Sequence, residues 1–369
     1  MKICMISPYY PPNQFYDGIG DYTQKLCEEM LKAGHEITVL ASTGYEGVGS
    51  SHDPIKIVPF ASRWGFGTFL KLFRLCRTKK FDVVNLQYSP PLYGIFFKML
   101  FPLIGLASPA VVTLHTLIGG GPVNKMVALT FVLFCAEIIS TNEEISYLVR
   151  KRLPWKKNLV QIPIGSAIIP PGQGETSTMK EKEGIVLAHF GLFYPGKGVE
   201  TILKAVAELK KEYNDFRLIM LGGEWRSAED YYDGLKKQAQ QLGIDEKVSW
   251  LGYLPAEGVS EQLSVADIFL VPYDRGISIR RSSFMVGLAH SLPIISTYAK
   301  IKSEYLKENE NIALVPPGDA VALKEKILEL IQDPDKRKRL REGAKSLMEE
   351  FRWPKIASKM IQVFEKVKC

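Results

Sequence analysis

Apolar and polar positions along the chain repeat one unit. A short unbroken apolar run is followed by a turn, then by a stretch whose apolar residues recur at helical spacing. Lys2–Ser7 (KICMIS) is the first run, and Thr23–Ala33 (TQKLCEEMLKA) the first helical stretch, with Gly34 placed as its stop. Glu36–Ala41, Phe81–Leu86 and Ala110–Leu114 read as further strands. Unbroken β-branched runs between helices predict parallel strands covered on both faces, because a half-exposed strand would alternate. Leu92–Leu106 (LYGIFFKMLFPLIGL) is strongly apolar but carries Lys98 and Pro102. It falls short of the ~20 residues that span a bilayer, which predicts a buried or interfacial helix. Met126–Cys135 reads as a core helix.

Around Ser166–Gly184 the pattern gives way to Pro, Gly, Ser and charge, which predicts a linker over residues 171–183. The alternation then restarts. Strands are expected at Ile185–Phe190, Arg217–Leu221, Val248–Leu251, Ile268–Val271 and Ile294–Ser296. Helices are expected at Val199–Lys211, Ala228–Leu242, Gly258–Ala266, Ser282–Ser291, Ala320–Gln332 and Asp335–Phe351. The fold class is therefore α/β, with two Rossmann-like βα domains, 1–170 and 184–351, facing across a cleft. Ligands in such sheets bind beyond the strand C-termini.

Composition narrows the function. The chain has 369 residues, 46% hydrophobic and 24% charged, which excludes a disordered chain and fits two domains. The five Cys (4, 27, 76, 135, 369) form no C-x-x-C, so neither a disulfide scaffold nor structural zinc is expected, and a reducing, cytoplasmic setting is. The start, MKICMISPYYPP, has no long apolar run before its prolines, so no cleaved signal peptide is expected. Net charge is +7, and residues 1–165 hold 17 Lys/Arg against 11 Asp/Glu. No basic stripe with interleaved aromatics accompanies it, so nucleic acid is not an expected partner. The excess suits anionic lipid or a phosphorylated substrate, or is ordinary solubilising charge.

Four places carry candidate chemistry. Asp17-Gly-Ile-Gly-Asp-Tyr22 stands between a strand and a helix, where Gly18 and Gly20 would let amides approach a phosphate, or simply make a tight turn. His115 ends a strand ahead of Gly119-Gly120-Gly121, and either donates to a sugar hydroxyl or phosphate or is structural. Phe190–Gly198 (FGLFYPGKG) brackets Lys197 with glycines at a helix start, a phosphate-binding arrangement or a solvated lysine. Arg280 and Arg281 adjoin Ser282 and Ser283 at the start of an apolar helix. Two guanidiniums at a helix N-terminus suit a diphosphate; the alternative is pairing with carboxylates such as Asp274.

In order and spacing these stretches resemble the family-4 retaining glycosyltransferases of GT-B fold, over nearly the whole chain. Ala33–Leu40, His115, Ile162–Gly165, Phe190–Gly198, Gly222-Gly223, Val248–Gly252, Ala266-Asp267 with Pro272, and Leu288–Ser296 follow in the family's order. Trp353 opens a final helix, 352–369, like the one that in this family returns to the N-terminal domain. The resemblance implies a nucleoside diphosphate sugar as co-substrate, no cofactor, and transfer with retention. It implies that Lys197, Arg280 and Arg281 hold the diphosphate, with amides of Gly18, Gly20, Ser282 and Ser283, and that His115 orients the sugar. Gly222, Gly223, Gly252, Tyr253 and Leu254 would meet the base. Leu192 stands in place of the family's arginine, and Ser278 and Val286 in place of its E-x7-E glutamates, so Ser278 keeps only a weaker contact to the sugar. Asp333-Pro-Asp335 lies between helices and reads as cap and turn, so metal-independent transfer is expected. The basic N-terminal domain and Leu92–Leu106 point to a glycan or lipid-linked acceptor and peripheral contact with the inner face of a membrane; a soluble acceptor is the alternative. Competing readings are a non-catalytic relic that binds sugar nucleotide or glycan, and a sugar-nucleotide epimerase, for which the carboxylates are too few.

Overall fold

The computed structural model describes residues 1–11, 18–43, 54–116, 122–155, 158–170, 184–223 and 229–368. They divide into two compact units, Met1–Gly165 with Phe351–Cys369, and Ser166–Glu350. The first unit contains β1 (Lys2–Ile6), α1 (Gly18–Lys32), β2 (Glu36–Ser42), β3 (Ile55–Ala61), α2 (Phe66–Lys79) and β4 (Val83–Tyr88). It continues with α3 (Ile95–Leu100), β5 (Ala110–Leu114), α4 (Pro122–Phe134), β6 (Glu137–Ser140), α5 (Glu143–Arg152) and β7 (Leu159–Gln161). Its seven strands are all parallel, in the order β3-β2-β1-β4-β5-β6-β7.

The second unit contains β8 (Ile185–Phe190), α6 (Val199–Glu212), β9 (Phe216–Leu221), α7 (Glu229–Gln241), β10 (Val248–Gly252), α8 (Ala256–Ser264) and β11 (Ile268–Val271). There follow α9 (Ser282–Ala289), β12 (Ile294–Thr297), β13 (Ala313–Val315), α10 (Ala320–Gln332) and α11 (Pro334–Met348). Its parallel sheet runs β10-β9-β8-β11-β12-β13, the same doubly wound order. Both units are thus Rossmann-like, each with a switch point where the strand order reverses: β1/β4 in one, β8/β11 in the other.

Helix α12 (Trp353–Lys368) belongs to the first unit. Its Trp353 ring lies 5.6 Å from Tyr22, and a Cβ on Gly165 would stand 2.7 Å from that indole. Lys366 reaches Glu137 at 3.3 Å, and Lys368 reaches Asp82 at 3.3 Å. The sheet of this unit therefore has two covered faces. One packs on α1 and α12 around Leu26, Met30, Ile356 and Met360. The other packs on α2–α5 around Leu72, Phe97, Phe131 and Val149.

Several sequence expectations need correction. The first unit ends at Gly165, and Ser166–Pro170 goes with the second, where Ile169 accepts from Ser260 Oγ at 3.4 Å. The linker 171–183 and Gly119–Gly121 lie outside the described residues. Helix α1 begins at Gly18, so the glycines expected in a turn form its first turn. Leu92–Leu106 is not one helix. Pro102 and Gly105 follow the short α3 with a 3-10 segment, Phe101–Leu106, that buries Phe101 and Ile104 and exposes Leu103 and Leu106. Helix α4 is longer than expected and only one side of it, Val127, Phe131 and Val132, is core. Asp333 caps α11 as read: its Oδ1 accepts from the Lys336 amide at 2.8 Å, with Pro334 in the first position. Among the described residues no helix is long and apolar enough to cross a membrane.

Candidate functional site

The second unit builds its site at the β8/β11 switch point. Strand β8 ends at Phe190, and Gly191 then turns with φ +154°, a conformation that favours glycine. A Cβ on Gly222 would lie 1.9 Å from the Gly191 carbonyl oxygen, so the ends of β8 and β9 touch through bare backbone. Gly222 donates its amide to Gly252 at 2.9 Å, which brings the end of β10 alongside. Gly198, at φ +74°, caps α6, and a Cβ there would meet the Pro272 carbonyl at 1.9 Å. That contact fastens the Lys197 loop to the end of β11.

Lys197 is therefore held inward, only 7% exposed. Its ammonium lies 4.9 Å from the Tyr194 ring and 5.5 Å from the Tyr273 ring. The Arg281 guanidinium sits 4.7 Å from the same Tyr273 ring. Burial first, and then the Arg281 charge, push the Lys197 pKa down to about 8. Two cations share one fully buried aromatic ring, whose quadrupole offsets part of their repulsion. Tyr273 is fixed in turn: its hydroxyl lies 2.6 Å from Ser283 Oγ and is also bonded by the Phe284 backbone.

Unspent hydrogen-bond capacity surrounds this pair. Arg281 is the N-cap residue of α9 and its side chain caps none of the helix amides, of which that of Phe284 is already bonded to Tyr273. Arg281 Nε and the Ser278 hydroxyl are buried and have no hydrogen-bond partner among the described residues. A Cβ on Gly191 would stand 3.5 Å from Ser283 Cβ and 3.7 Å from Lys197 Nζ. Its absence leaves room between a cation, a hydroxyl and a helix N-terminus, which is what an anion needs. Asp274, the carboxylate weighed as a partner for the arginines, is instead held above its usual range by burial and by Glu200.

The predicted residues divide accordingly. Lys197, Arg281, Ser283 and Gly222 converge around Gly191, which the sequence reading did not single out. Arg280 is half-buried in the turn before α9, and Ser282 is exposed. Gly223 accepts from the Phe193 amide at 3.1 Å; Gly252, at φ +65°, has open space around it. Tyr253 is 68% exposed and Leu254 half-buried, both just past β10. Val286 is buried inside α9, and Leu192 is exposed. Among the described residues no group of His, Cys, Asp or Glu could hold a metal ion.

Sequence reasoning missed Tyr273, Tyr194 and His189. An aromatic two residues past the strand at the switch point was the available signal. His189, in β8, is fully buried; its Nδ1 donates to the Leu270 carbonyl at 2.7 Å. Burial, opposed by that bond and aided by Lys197, brings its pKa down to about 4.

In the first unit His115 follows β5, beside the strand that flanks the β1/β4 switch point. Its Nε2 lies 2.8 Å from Gln87 Oε1, and Gln87 Nε2 donates to Asn85 Oδ1, which also accepts from Thr113 Oγ1 at 3.2 Å. This chain fixes the tautomer, because a carbonyl oxygen only accepts: Nε2 carries the proton and Nδ1 is left with its lone pair. Burial pushes the pKa down to about 3, so the ring is neutral, with the Tyr22 ring edge-on at 4.9 Å. The expected donor to a sugar or phosphate is thus an acceptor at its remaining nitrogen. Gly18 has open space, but a Cβ on Gly20 would lie 2.3 Å from the Tyr9 carbonyl, so Gly20 serves packing of α1 on the loop after β1.

Two doubly wound parallel sheets, each Rossmann-like, match the GT-B glycosyltransferase architecture. The sequence models agree: "glycosyltransferase family 4" matches residues 16–165, and "glycosyl transferases group 1" matches residues 175–347. The chain belongs to the family-4 glycosyltransferases of GT-B fold. It is 23% identical to the phosphatidyl-myo-inositol mannosyltransferase of Mycobacterium leprae, over 100% of this chain and 97% of that protein. Among solved structures, sucrose-phosphate synthase from Thermosynechococcus elongatus superposes with a TM-score of 0.75 at 18% identity, covering 99% and 98% of the two chains. HepE from Anabaena, solved with UDP and glucose, gives 0.75 at 16% identity, covering 99% and 100%.

Proposed function

We propose that the chain moves a hexosyl group from a nucleoside diphosphate sugar to a glycan or lipid-linked acceptor at the inner face of a membrane. In this reading transfer retains anomeric configuration and needs no divalent metal. One observation carries it: the Lys197 ammonium and the Arg281 guanidinium lie over the same buried Tyr273 ring, at the uncapped start of α9. Leaving-group departure concentrates charge on a diphosphate. Cations and amides already aimed into a poorly solvated pocket stabilise that charge without reorganising. Gly191 and Gly222 keep the floor bare so the phosphates can approach, and Arg280, Ser282 and Ser283 add donors. The ends of β9 and β10, with Gly223, Gly252, Tyr253 and Leu254, would receive the base. Ser278 would offer its unspent hydroxyl to the sugar, and His115 would accept from a sugar hydroxyl. The lipid-linked acceptor is supported by the name of the mycobacterial relative.

Calorimetric titration with UDP, GDP and ADP tests the donor site. One nucleotide should bind, and Lys197→Ala or Arg281→Ala should weaken it by about ten- to a hundred-fold, the worth of a charged contact. No binding of any of them at millimolar concentration overturns the proposal. A non-catalytic sugar-nucleotide binder is favoured by Ser278 and Val286, which stand where the family places glutamates. Labelled donor incubated with membrane extract separates the two, and turnover that survives EDTA supports metal independence.

A further inference from the structure

We infer that Tyr273 is a positioning residue of the diphosphate site with two separable roles: its ring holds the Lys197–Arg281 pair, and its hydroxyl hands the Phe284 amide on to Ser283, so that the Ser283 proton is left for the phosphate. The inference deepens the donor-site reading above and rests on it.

A fully buried aromatic ring ordinarily packs among apolar groups. The Tyr273 ring instead has the Lys197 ammonium at 5.5 Å and the Arg281 guanidinium at 4.7 Å. Lys197 comes from the loop before α6 and Arg281 from the start of α9, so no local chain geometry pairs them. Like charges gathered in a poorly solvated place repel, and the quadrupole of the ring attracts both. The Tyr194 ring, 4.9 Å from Lys197, adds to this at one cation. A phenylalanine would hold the pair equally well, with no buried polar atom to satisfy.

The hydroxyl therefore needs its own account. Tyr273 Oη accepts from the Phe284 amide. Its own proton needs an acceptor, because a buried, unspent donor is costly. Among the described residues that acceptor is Ser283 Oγ, at 2.6 Å. The phenol thus donates to Ser283, and Ser283, as acceptor, keeps its own proton. A Cβ on Gly191 would stand 3.6 Å from Ser283 Oγ and 3.7 Å from Lys197 Nζ, so hydroxyl and ammonium flank the same opening. Phe284 is the third residue of α9. An amide from the positive end of the helix is in this way routed through the phenol to the opening, and each bond in the series polarises the next.

Lys197 reads the ring by its charge. It faces Arg281 from α9, Tyr273 past β11, Tyr194 in its own loop and His189 from β8. Near pH 8 His189 is neutral, lowered by burial to about 4, and the Tyr273 phenol is protonated, raised by burial to about 12. The carboxylates Asp274 and Glu200 act on each other and on Tyr231 instead.

NMR titration of lysine-labelled, nucleotide-free chain, with calorimetry of UDP, GDP and ADP, tests both roles. The Lys197 midpoint, about 8 in the wild type, should hold in Tyr273→Phe. It should fall by about half a pH unit or more in Tyr273→Met, which fills space without a quadrupole. A midpoint that moves in Tyr273→Phe, or holds in Tyr273→Met, overturns the role of the ring; if the methionine variant does not fold, the phenylalanine variant carries this arm alone. For the nucleotide that binds, Tyr273→Phe should weaken affinity about three- to ten-fold and Ser283→Ala at least as much. The double variant should bind no more weakly than Ser283→Ala, because the phenol acts only through that hydroxyl. Wild-type binding with additive losses, or with an unmoved Tyr273→Met midpoint, sinks this inference and leaves the donor site standing. No nucleotide binding by the wild type overturns the donor site and the end point of the relay with it, while the lysine titration still decides the ring.

Discussion

The two units share a strand order and almost nothing that follows from their surfaces. At the β8/β11 switch point the second unit gathers Lys197, Arg281 and a bare glycine floor. Beside the corresponding β1/β4 position the first unit sets a neutral network, Asn85–Gln87–His115. The outward faces diverge as well. The second unit's α6 turns lysines and glutamates to solvent, with Lys211 on Glu208 at 2.8 Å, while α4 of the first unit exposes Met126, Leu129 and Phe134. One topology therefore carries two different surfaces, and the difference is made by which side chains stand at the strand ends and on the helix exteriors.

Removing both cations should break the contrast at the strand ends. Lys197→Ala/Arg281→Ala removes both cations at the Tyr273 ring, and nucleotide affinity should fall by about 3 kcal/mol or more. Isothermal titration checks it. Retained affinity would mean that the diphosphate sits elsewhere.

The glycines sharpen the contrast through stability. Gly222→Ala forces a Cβ onto the Gly191 carbonyl at φ +130°, and should cost about 2–4 kcal/mol. Gly20→Ala collides with the Tyr9 carbonyl at 2.3 Å and should cost about 1–3 kcal/mol, in the first unit only. Gly18→Ala, in open space, should stay within about 0.5 kcal/mol. Denaturant unfolding followed separately in each unit measures all three. If Gly20 were a phosphate approach rather than a packing site, its substitution would lower binding and leave stability alone.

Lys197 also couples affinity to stability with opposite signs. Its pKa falls from 10.5 in the unfolded chain to about 8 in the fold, mainly through burial. Between those values the unfolded chain holds a proton that the folded one has lost, so stability rises with pH across that window. Below pH 8 the penalty is fully present. Lys197→Met should therefore stabilise the nucleotide-free protein at pH 7 by about 1–2 kcal/mol, a gain that disappears near pH 10. Wild-type nucleotide affinity should weaken as pH passes 8, if the Lys197 ammonium is the group that meets the phosphate. Thermal melts at pH 7 and 10 with titrations at pH 7 and 9 check both.

Much of this was legible in the sequence. Unbroken runs such as KICMIS and IVLAHF gave buried parallel strands, and the glycine-bracketed Lys197 and the Arg281 helix start are the two cationic segments that the fold brings to one ring. Three things were not. Tyr273 looks like any buried aromatic until the fold brings Lys197, some 80 positions earlier in the chain, over its ring. Gly20 stayed open between a phosphate approach and a tight turn because chain order cannot reveal the Tyr9 carbonyl above it. Helix α4 read as core because its apolar residues run all round the helix; hydropathy counts them, but only packing decides which side meets the core.

The smallest expected effect concerns His115, and it tests whether the first unit contributes chemistry by charge or by shape. Desolvation holds the imidazole's pKa near 3, so between pH 5 and 8 the folded ring stays neutral and offers Nδ1 as an acceptor. The pH profile of transfer should therefore show no ionisation near 6.5 that His115→Asn removes. His115→Phe, which keeps a ring but no acceptor, should lower kcat/KM by up to about ten-fold, the worth of a neutral hydrogen bond, and leave nucleotide affinity unchanged. Stability supplies an independent check. The unfolded chain takes up a proton near pH 6.5 and the folded chain only near 3, so His115 weakens the fold as pH falls through that interval. His115→Phe should flatten that part of the acid unfolding curve. A rate that rises below pH 6.5, or an acid curve untouched by the substitution, would mean that His115 is charged in the working enzyme, and the hydrogen bond to Gln87 would then not set its tautomer.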